Sequence, residues 1–137
     1  MTFLVDTSVW SLALRRSNSQ RSPGETLIVR RLQSLIDEGR VAMVGPVRQE
    51  LLSGIRSHGQ FVSLRDLLRS FPDEKLEVED YEKAAEITNL CLRKGIAKSD
   101  IDQLLCAVAA RRSWTILTTD PDFDRYAQAT SVHVQRL

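Results

Sequence analysis

Phe3-Leu4-Val5-Asp6-Thr7-Ser8 decides how the chain is read. Three apolar residues run directly into an acid and two hydroxyls. A short apolar run of this kind is a buried strand, and the acid then falls at its C-terminal edge. Val9, Trp10, Ala13 and Leu14 recur at helical spacing immediately afterwards. The prediction is a strand over 2–5 feeding a helix over 7–15, with a carboxylate at the junction.

The same alternation continues outward from that stretch. Short segments at 41–44, 75–78, 115–118 and 132–134 read as further strands. Helical stripes fall at 25–38, 46–56, 61–71, 80–94, 101–112 and 121–128. Gly39 and Gly95 follow two of these helices, and Pro46 and Pro121 open two others. The polar segment 15–24 reads as a loop. Short strands alternating with helices predict parallel pairing through helical crossovers, with helices on both faces of the sheet. The expected architecture is a three-layer α/β/α sandwich in a single domain, with a short, mostly parallel central sheet.

Bulk composition excludes several classes. The chain has 137 residues, 42% hydrophobic and 27% charged, which is ordinary for a globular domain. A formal net charge of +1 does not announce a polyanion-binding protein, so any such role must rest on local patches. Cys91 and Cys106 lie in helical patterns without a C-x-x-C, and are expected to be reduced core thiols. Asp6 interrupts the N-terminal apolar run, so neither a signal peptide nor a membrane span is expected, and the location expected is cytoplasmic.

The acids carry the chemistry. Ligands of open α/β sheets bind beyond the carboxyl ends of the strands. Asp6 and Asp120 each follow a strand and should lie there. Helix capping explains either acid alone, through Asp6-Thr7-Ser8 and Thr119-Asp120-Pro121. Glu50 is harder to explain that way. It lies within the apolar stripe of Val47, Leu51 and Ile55, where a carboxylate is costly without a partner such as Arg48 or Arg30. Asp102 could complete a capping box with Ser99. It is also followed at helical spacing by the small Cys106 and Ala109, which leave it room to face a cleft. Asp100 projects to the other side, and Asp122 and Asp124 are first-turn acids of the last helix. Several acids converging on one edge require a cation or raised pKa values. Oxygen donors without a Cys/His cluster suit Mg²⁺ or Mn²⁺ rather than zinc.

Four motifs in order, Leu4-Val5-Asp6-Thr7-Ser8, Gln49-Glu50-Leu51-Leu52, Ser99 to Ala110 and Ile116 to Phe123, resemble the PIN domain, in particular the VapC toxins of bacterial toxin–antitoxin pairs. The resemblance spans nearly the whole chain. It implies a Mg²⁺- or Mn²⁺-dependent endoribonuclease that leaves a 5′-phosphate and a 3′-hydroxyl. Asp6, Glu50, Asp102 and Asp120 would be its catalytic and metal-binding acids. Thr7 would be the hydroxyl supporting the first acid, Thr118 the threonine of the T-x-D motif, and Asp122 a further acid; Asp100 is a weaker candidate. The resemblance also implies a homodimer and a VapB-like antitoxin partner. Two departures from the pattern are Leu105-Cys106-Ala107 after the third acid and Trp114 where glycine is common.

RNA contact needs cations. The candidates are Arg15, Arg16 and Arg21 after the first helix, with Lys94 and Lys98 before Asp100. Trp10 is a base-stacking candidate or a core residue. A PIN-type RNA-processing nuclease without an antitoxin is an alternative reading. A receiver-like phosphoacceptor would need an acidic pair after the first strand, an acid after 41–44 and a lysine after the last strands. The chain has none of these. A non-catalytic PIN-like module would be expected to lack some of the four acids.

Overall fold

The computed structural model describes all residues, 1–137. Four strands form one sheet: β1 (Phe3–Val5), β2 (Val41–Ala42), β3 (Thr115–Thr118) and β4 (His133–Arg136). Seven helices flank it: α1 (Thr7–Leu14), α2 (Pro23–Asp37), α3 (Gly45–Leu52), α4 (His58–Leu68), α5 (Val78–Arg93), α6 (Asp100–Arg112) and α7 (Asp122–Ala129). The strand order is β2-β1-β3-β4, and every pairing is parallel.

That order positions the site. The chain leaves β1 for β2 on one side, then returns past β1 to β3 on the other. Crossovers between parallel strands are right-handed, so connections running in opposite directions lie on opposite faces. The helices accordingly pack in two groups: α1 with α2 and α3, and α5 with α6 and α7. The reversal lies between β1 and β3. A crevice opens at that point, beyond the carboxyl ends of the two strands.

β1 is central, and Phe3, Leu4 and Val5 are fully buried, as a parallel strand covered on both faces must be. Leu4 pairs with Ile116 and Val5 with Leu117. The Asp6 N–H continues the ladder to the Leu117 carbonyl at 2.9 Å, which sets Asp6 beside Thr118. Trp10 is buried edge-on against Phe71, 5.1 Å between ring centres, so it belongs to the core and is closed to a base. Cys91 and Cys106 are free, buried thiols.

Several boundaries differ from the sequence reading, each for a local reason. No strand forms over 75–78. Glu77 and Asp80 close a reciprocal capping box instead, with the Glu77 N–H donating to Asp80 Oδ2 at 2.8 Å. Val78 thereby opens α5 and is exposed. Only a single bridge, Met43 to Asp73, lies beside β2 there. α3 stops at Leu52 rather than 56, because Gly54 turns the chain with φ +82°, a conformation glycine adopts without strain. α4 begins at His58, three residues early, because the Ser57 hydroxyl accepts the Gln60 N–H. α2 begins at Pro23 behind a Ser22–Glu25 capping box.

Candidate active site

The crevice is an acidic cleft of about 470 Å³ whose walls include Asp6, Glu50, Asp100, Asp102 and Asp120. These acids arrive from the end of β1, from α3, from the start of α6 and from the end of β3. The folded chain therefore gathers Asp6, Glu50, Asp102 and Asp120 at one opening. None of these four acids has a lysine, arginine or histidine partner among the chain's ion pairs.

Asp6 is buried, and it stands where an N-cap would stand, yet its side chain makes no cap bond to α1. Its Oδ2 accepts two hydroxyls instead, from Ser8 at 2.8 Å and from Thr118 at 2.9 Å. Hydroxyl donors satisfy one oxygen of the carboxylate and leave the other free. Capping therefore does not account for Asp6.

Thr7 does not support Asp6, as the resemblance implied. Its hydroxyl donates to Glu50 Oε2 at 2.9 Å and so ties the start of α1 to α3. The reason is helical geometry: one residue past the acid, the Thr7 side chain leaves along a different direction and meets the neighbouring helix. Ser8 takes the expected role at Asp6. Its hydroxyl also accepts the Thr119 N–H at 3.1 Å and touches the Thr118 hydroxyl at 3.3 Å. Sequence reasoning missed Ser8. The available signal was a hydroxyl two residues after an acid, the spacing of a local side-chain hydrogen bond.

Glu50 finds no arginine. Arg48 pairs with Asp73 at 2.9 Å and donates to the carbonyls of Leu68 and Phe71, so it serves the α4 end. Asp120 Oδ1 accepts the Asp122 N–H at 2.9 Å, and the Asp120 N–H donates to the Thr118 hydroxyl at 2.9 Å. Thr118 is thus a bridge between Asp6 and Asp120. The Asp122 carboxylate itself turns to Arg125 at 2.5 Å. Asp122 touches the site through its backbone.

Asp102 makes no capping box with Ser99. The Ser99 N–H goes to Gln103 Oε1 at 3.2 Å, and Gln103 also receives the Thr88 hydroxyl and donates to the Ala97 carbonyl. Gln103 so fixes the turn into α6 and leaves the Asp102 carboxylate facing the cleft. Burial, then the charges of Asp6, Asp120 and Glu50, push its pKa up to about 6 against an opposing hydroxyl from Ser99. Asp100 is exposed and lies 3.4 Å from Lys98.

Of the predicted cations, Arg21 is a structural residue. Its guanidinium donates to the carbonyls of Leu12, Ala13 and Arg16, which closes the end of α1. Arg16 pairs with Glu25 at 2.7 Å. Lys98 is held by Asp100, and Lys94 is exposed. Arg15 keeps a free side chain.

The oxygen-only donor set, uncompensated charge and raised Asp102 pKa fit a hard divalent cation. The acids stand apart as the chain alone holds them, and no three are arranged to grip an ion without side-chain movement. Mutual repulsion spreads carboxylates that share a cleft. Replacing Ser8 with Ala removes one donor to Asp6 and leaves the Thr119 N–H short of a partner. If the cleft takes such an ion, the variant should bind it about tenfold or more weakly, the range for a hydrogen-bond partner of a ligand, read by a Mn²⁺ binding titration.

A parallel α/β domain with a carboxylate cleft at its switch point defines a class, and comparison with known proteins agrees with it. The PIN domain model matches residues 3–129. VapC ribonuclease Mb1587 of Mycobacterium bovis is 32% identical over 131 residues, 94% of each chain. Ribonuclease VapC11 of Mycobacterium tuberculosis gives the same figures. Among solved structures, VapBC2 from Rickettsia felis bound to a promoter DNA fragment matches with a TM-score of 0.78 at 18% identity, covering 100% of this chain and 99% of that one. FitAcB from Neisseria gonorrhoeae matches with a TM-score of 0.74 at 23% identity, covering 97% and 96%. The chain belongs to the PIN-domain family, in its VapC-type branch. No helix is long and apolar enough to cross a membrane.

Proposed function

We propose that the chain is a Mg²⁺- or Mn²⁺-dependent endoribonuclease, the toxin of a VapBC-like pair, with Asp6, Glu50, Asp102 and Asp120 as its catalytic acids. The observation that carries this reading is the convergence of four carboxylates from separate elements on one cleft with no cation among them. The named relatives, ribonucleases at 32% identity, point the same way.

In this reading Asp6 and Asp102 ligate directly, and Glu50 and Asp120 ligate or orient water. A divalent ion held there supplies positive charge that acidifies water and offsets charge growing on the phosphoryl group. The protein's part is positional. Ser8 and Thr118 fix one oxygen of Asp6. Thr7 aims Glu50, and the Asp122 N–H fixes one oxygen of Asp120. One of the four acids accepts the proton of the attacking water.

Purified protein should cleave single-stranded RNA with Mg²⁺ or Mn²⁺, and Asp6→Asn or EDTA should stop it. Cleavage that persists through both refutes the reading. Binding should also show without RNA. Mn²⁺ at 100 times its dissociation constant should stabilise the fold by about 2.7 kcal/mol, seen as a rise in Tm that Asp6→Asn abolishes.

A homodimer, a VapB-like antitoxin and a cytoplasmic location belong to the same proposal, and the antitoxin is supported by structural neighbours that are VapBC complexes. Co-expression of a neighbouring small gene should relieve growth arrest. Arrest that no neighbouring gene relieves favours an RNA-processing nuclease.

A further inference from the structure

We infer that the groove between the end of α1 and the start of α4 clamps the phosphates of the RNA strand as it leaves the acidic cleft, with Arg15 and Arg56 as the clamp. The inference rests on the ribonuclease reading above.

Affinity for a polyanion comes from cations, and a cleft of carboxylates supplies none. The cations must therefore lie elsewhere along the strand's path. Ten arginines are engaged by carboxylates or carbonyls; the side chains of Arg15, Arg30, Arg31, Arg56 and Arg93 are in no ion pair or hydrogen bond, and of these Arg15 and Arg56 share one groove. Arg16, Arg48, Arg111, Arg112, Arg125 and Arg136 each pair with a carboxylate, and Arg21 is used on carbonyls. Arg15 and Arg56 are both exposed, and neither side chain takes part in an ion pair or a hydrogen bond. Both line the same groove of about 760 Å³, which has no acid in its walls. Gln60 and Ser63 add hydrogen-bonding groups there, and Leu14 and Leu64 give it an apolar floor. Two unengaged guanidiniums in one groove with amide and hydroxyl donors are the chemistry of phosphate recognition.

Position connects groove and cleft. Asp6 precedes α1 and Arg15 follows it, a helical rise of about 12 Å. On the neighbouring element Glu50 is bonded to Thr7 at the start of α1, and the turn at Gly54 brings the chain round to Arg56. A strand lying along α1 passes from the acids to the two arginines within a few nucleotides.

The test uses the full chain and a fluorescein-labelled ten-nucleotide RNA of mixed sequence, with binding read by anisotropy in EDTA from 0.1 to 1 M salt. For single strands each neutralised phosphate contributes about 0.7 to the logarithmic salt slope, so the Arg15→Gln/Arg56→Gln double variant should lose about 1.4. That corresponds to about 25-fold weaker binding at 0.1 M salt, vanishing toward 1 M. The Arg15→Lys/Arg56→Lys variant should keep the slope. Cleavage of a trinucleotide by the wild type with added Mn²⁺ tests the ribonuclease reading separately from the clamp.

Unchanged affinity and slope in the Gln variant overturn the clamp while trinucleotide cleavage upholds the ribonuclease reading. Absence of RNA binding by the wild type overturns the clamp too. Binding of an acidic peptide that the Gln variant loses, with RNA binding unaltered, assigns the groove to a protein partner and also overturns it.

Discussion

Asp102→Asn is expected to lower RNA cleavage by roughly a thousandfold and at the same time to raise the Tm of the metal-free protein. On the proposed ribonuclease reading, the loss follows from removing a charge that would face the reacting phosphate, where single electrostatic contributions reach that size. The gain follows from the fold. Burial and the neighbouring Asp6, Asp120 and Glu50 charges push the Asp102 pKa from 3.8 up to about 6. A carboxyl whose pKa is higher folded than unfolded binds protons more tightly in the fold. Its ionisation therefore costs stability progressively from about pH 4 to pH 6, and fully above that. The shift taken whole is near 3 kcal/mol, and solvent screening of a half-buried group reduces it to about 1 kcal/mol. At neutral pH the Asn variant should then melt about 3 °C higher without metal, and the difference should vanish below pH 4. Calorimetry across that range in EDTA checks it. A variant that melts lower at pH 7.5 would show that Asp102 is held by contacts rather than strained by them. Saturating Mn²⁺ should reverse the order, since only the wild type has the full set of acids.

The second large effect lies far from the cleft. Asp80 is completely buried and receives Arg111 at 2.6 Å, Arg112 at 2.7 and 3.0 Å and the Glu77 N–H at 2.8 Å. Arg112 also donates to the Lys75 carbonyl and lies over the Trp114 ring. This knot joins the start of α5 to the end of α6. Asp80→Ala would strand two arginines with their partner gone, at a cost of about 3–5 kcal/mol, a large part of a typical domain's stability. Urea titration should show the loss directly. Asp80→Leu combined with Arg112→Met removes charge from both sides and should recover a good part of it. The arginines hold the Asp80 carboxyl well below the usual carboxylate range. Its contribution is therefore present above about pH 4 and lost as the pH falls below that, opposite in sign to that of Asp102.

What was legible in the chain follows from which signals are local. β1, α1, α6 and β3 could be read because each pairs an apolar run or stripe with an acid at its end. The convergence of Asp6, Glu50, Asp102 and Asp120 on one opening follows from parallel topology, and the sheet order β2-β1-β3-β4 brings the ends of β1 and β3 together. Less legible were features decided by a partner distant in sequence. The run 75–78 alternates like a strand, but Arg111 and Arg112 hold Asp80, and Asp80 caps α5. Arg21 looks like a free cation until the end of α1 folds back onto it. Thr7 and Ser8 are both hydroxyls beside an acid, and only the placement of α3 tells which one meets Glu50.

The hydrogen bond between Thr118 and Asp6 spans 112 residues of sequence. Its consequence concerns time rather than geometry. As the chain emerges during synthesis, Asp6 and Glu50 appear early, but Asp6 lacks its Thr118 donor and β1 lacks its neighbour until β3 arrives. Contacts this distant in sequence slow folding, because the intervening chain must close before they form. On the proposed ribonuclease reading, an incomplete chain lacks the assembled cleft and should not cleave RNA. The cleft is complete only when the residues near 120 reach those near 6.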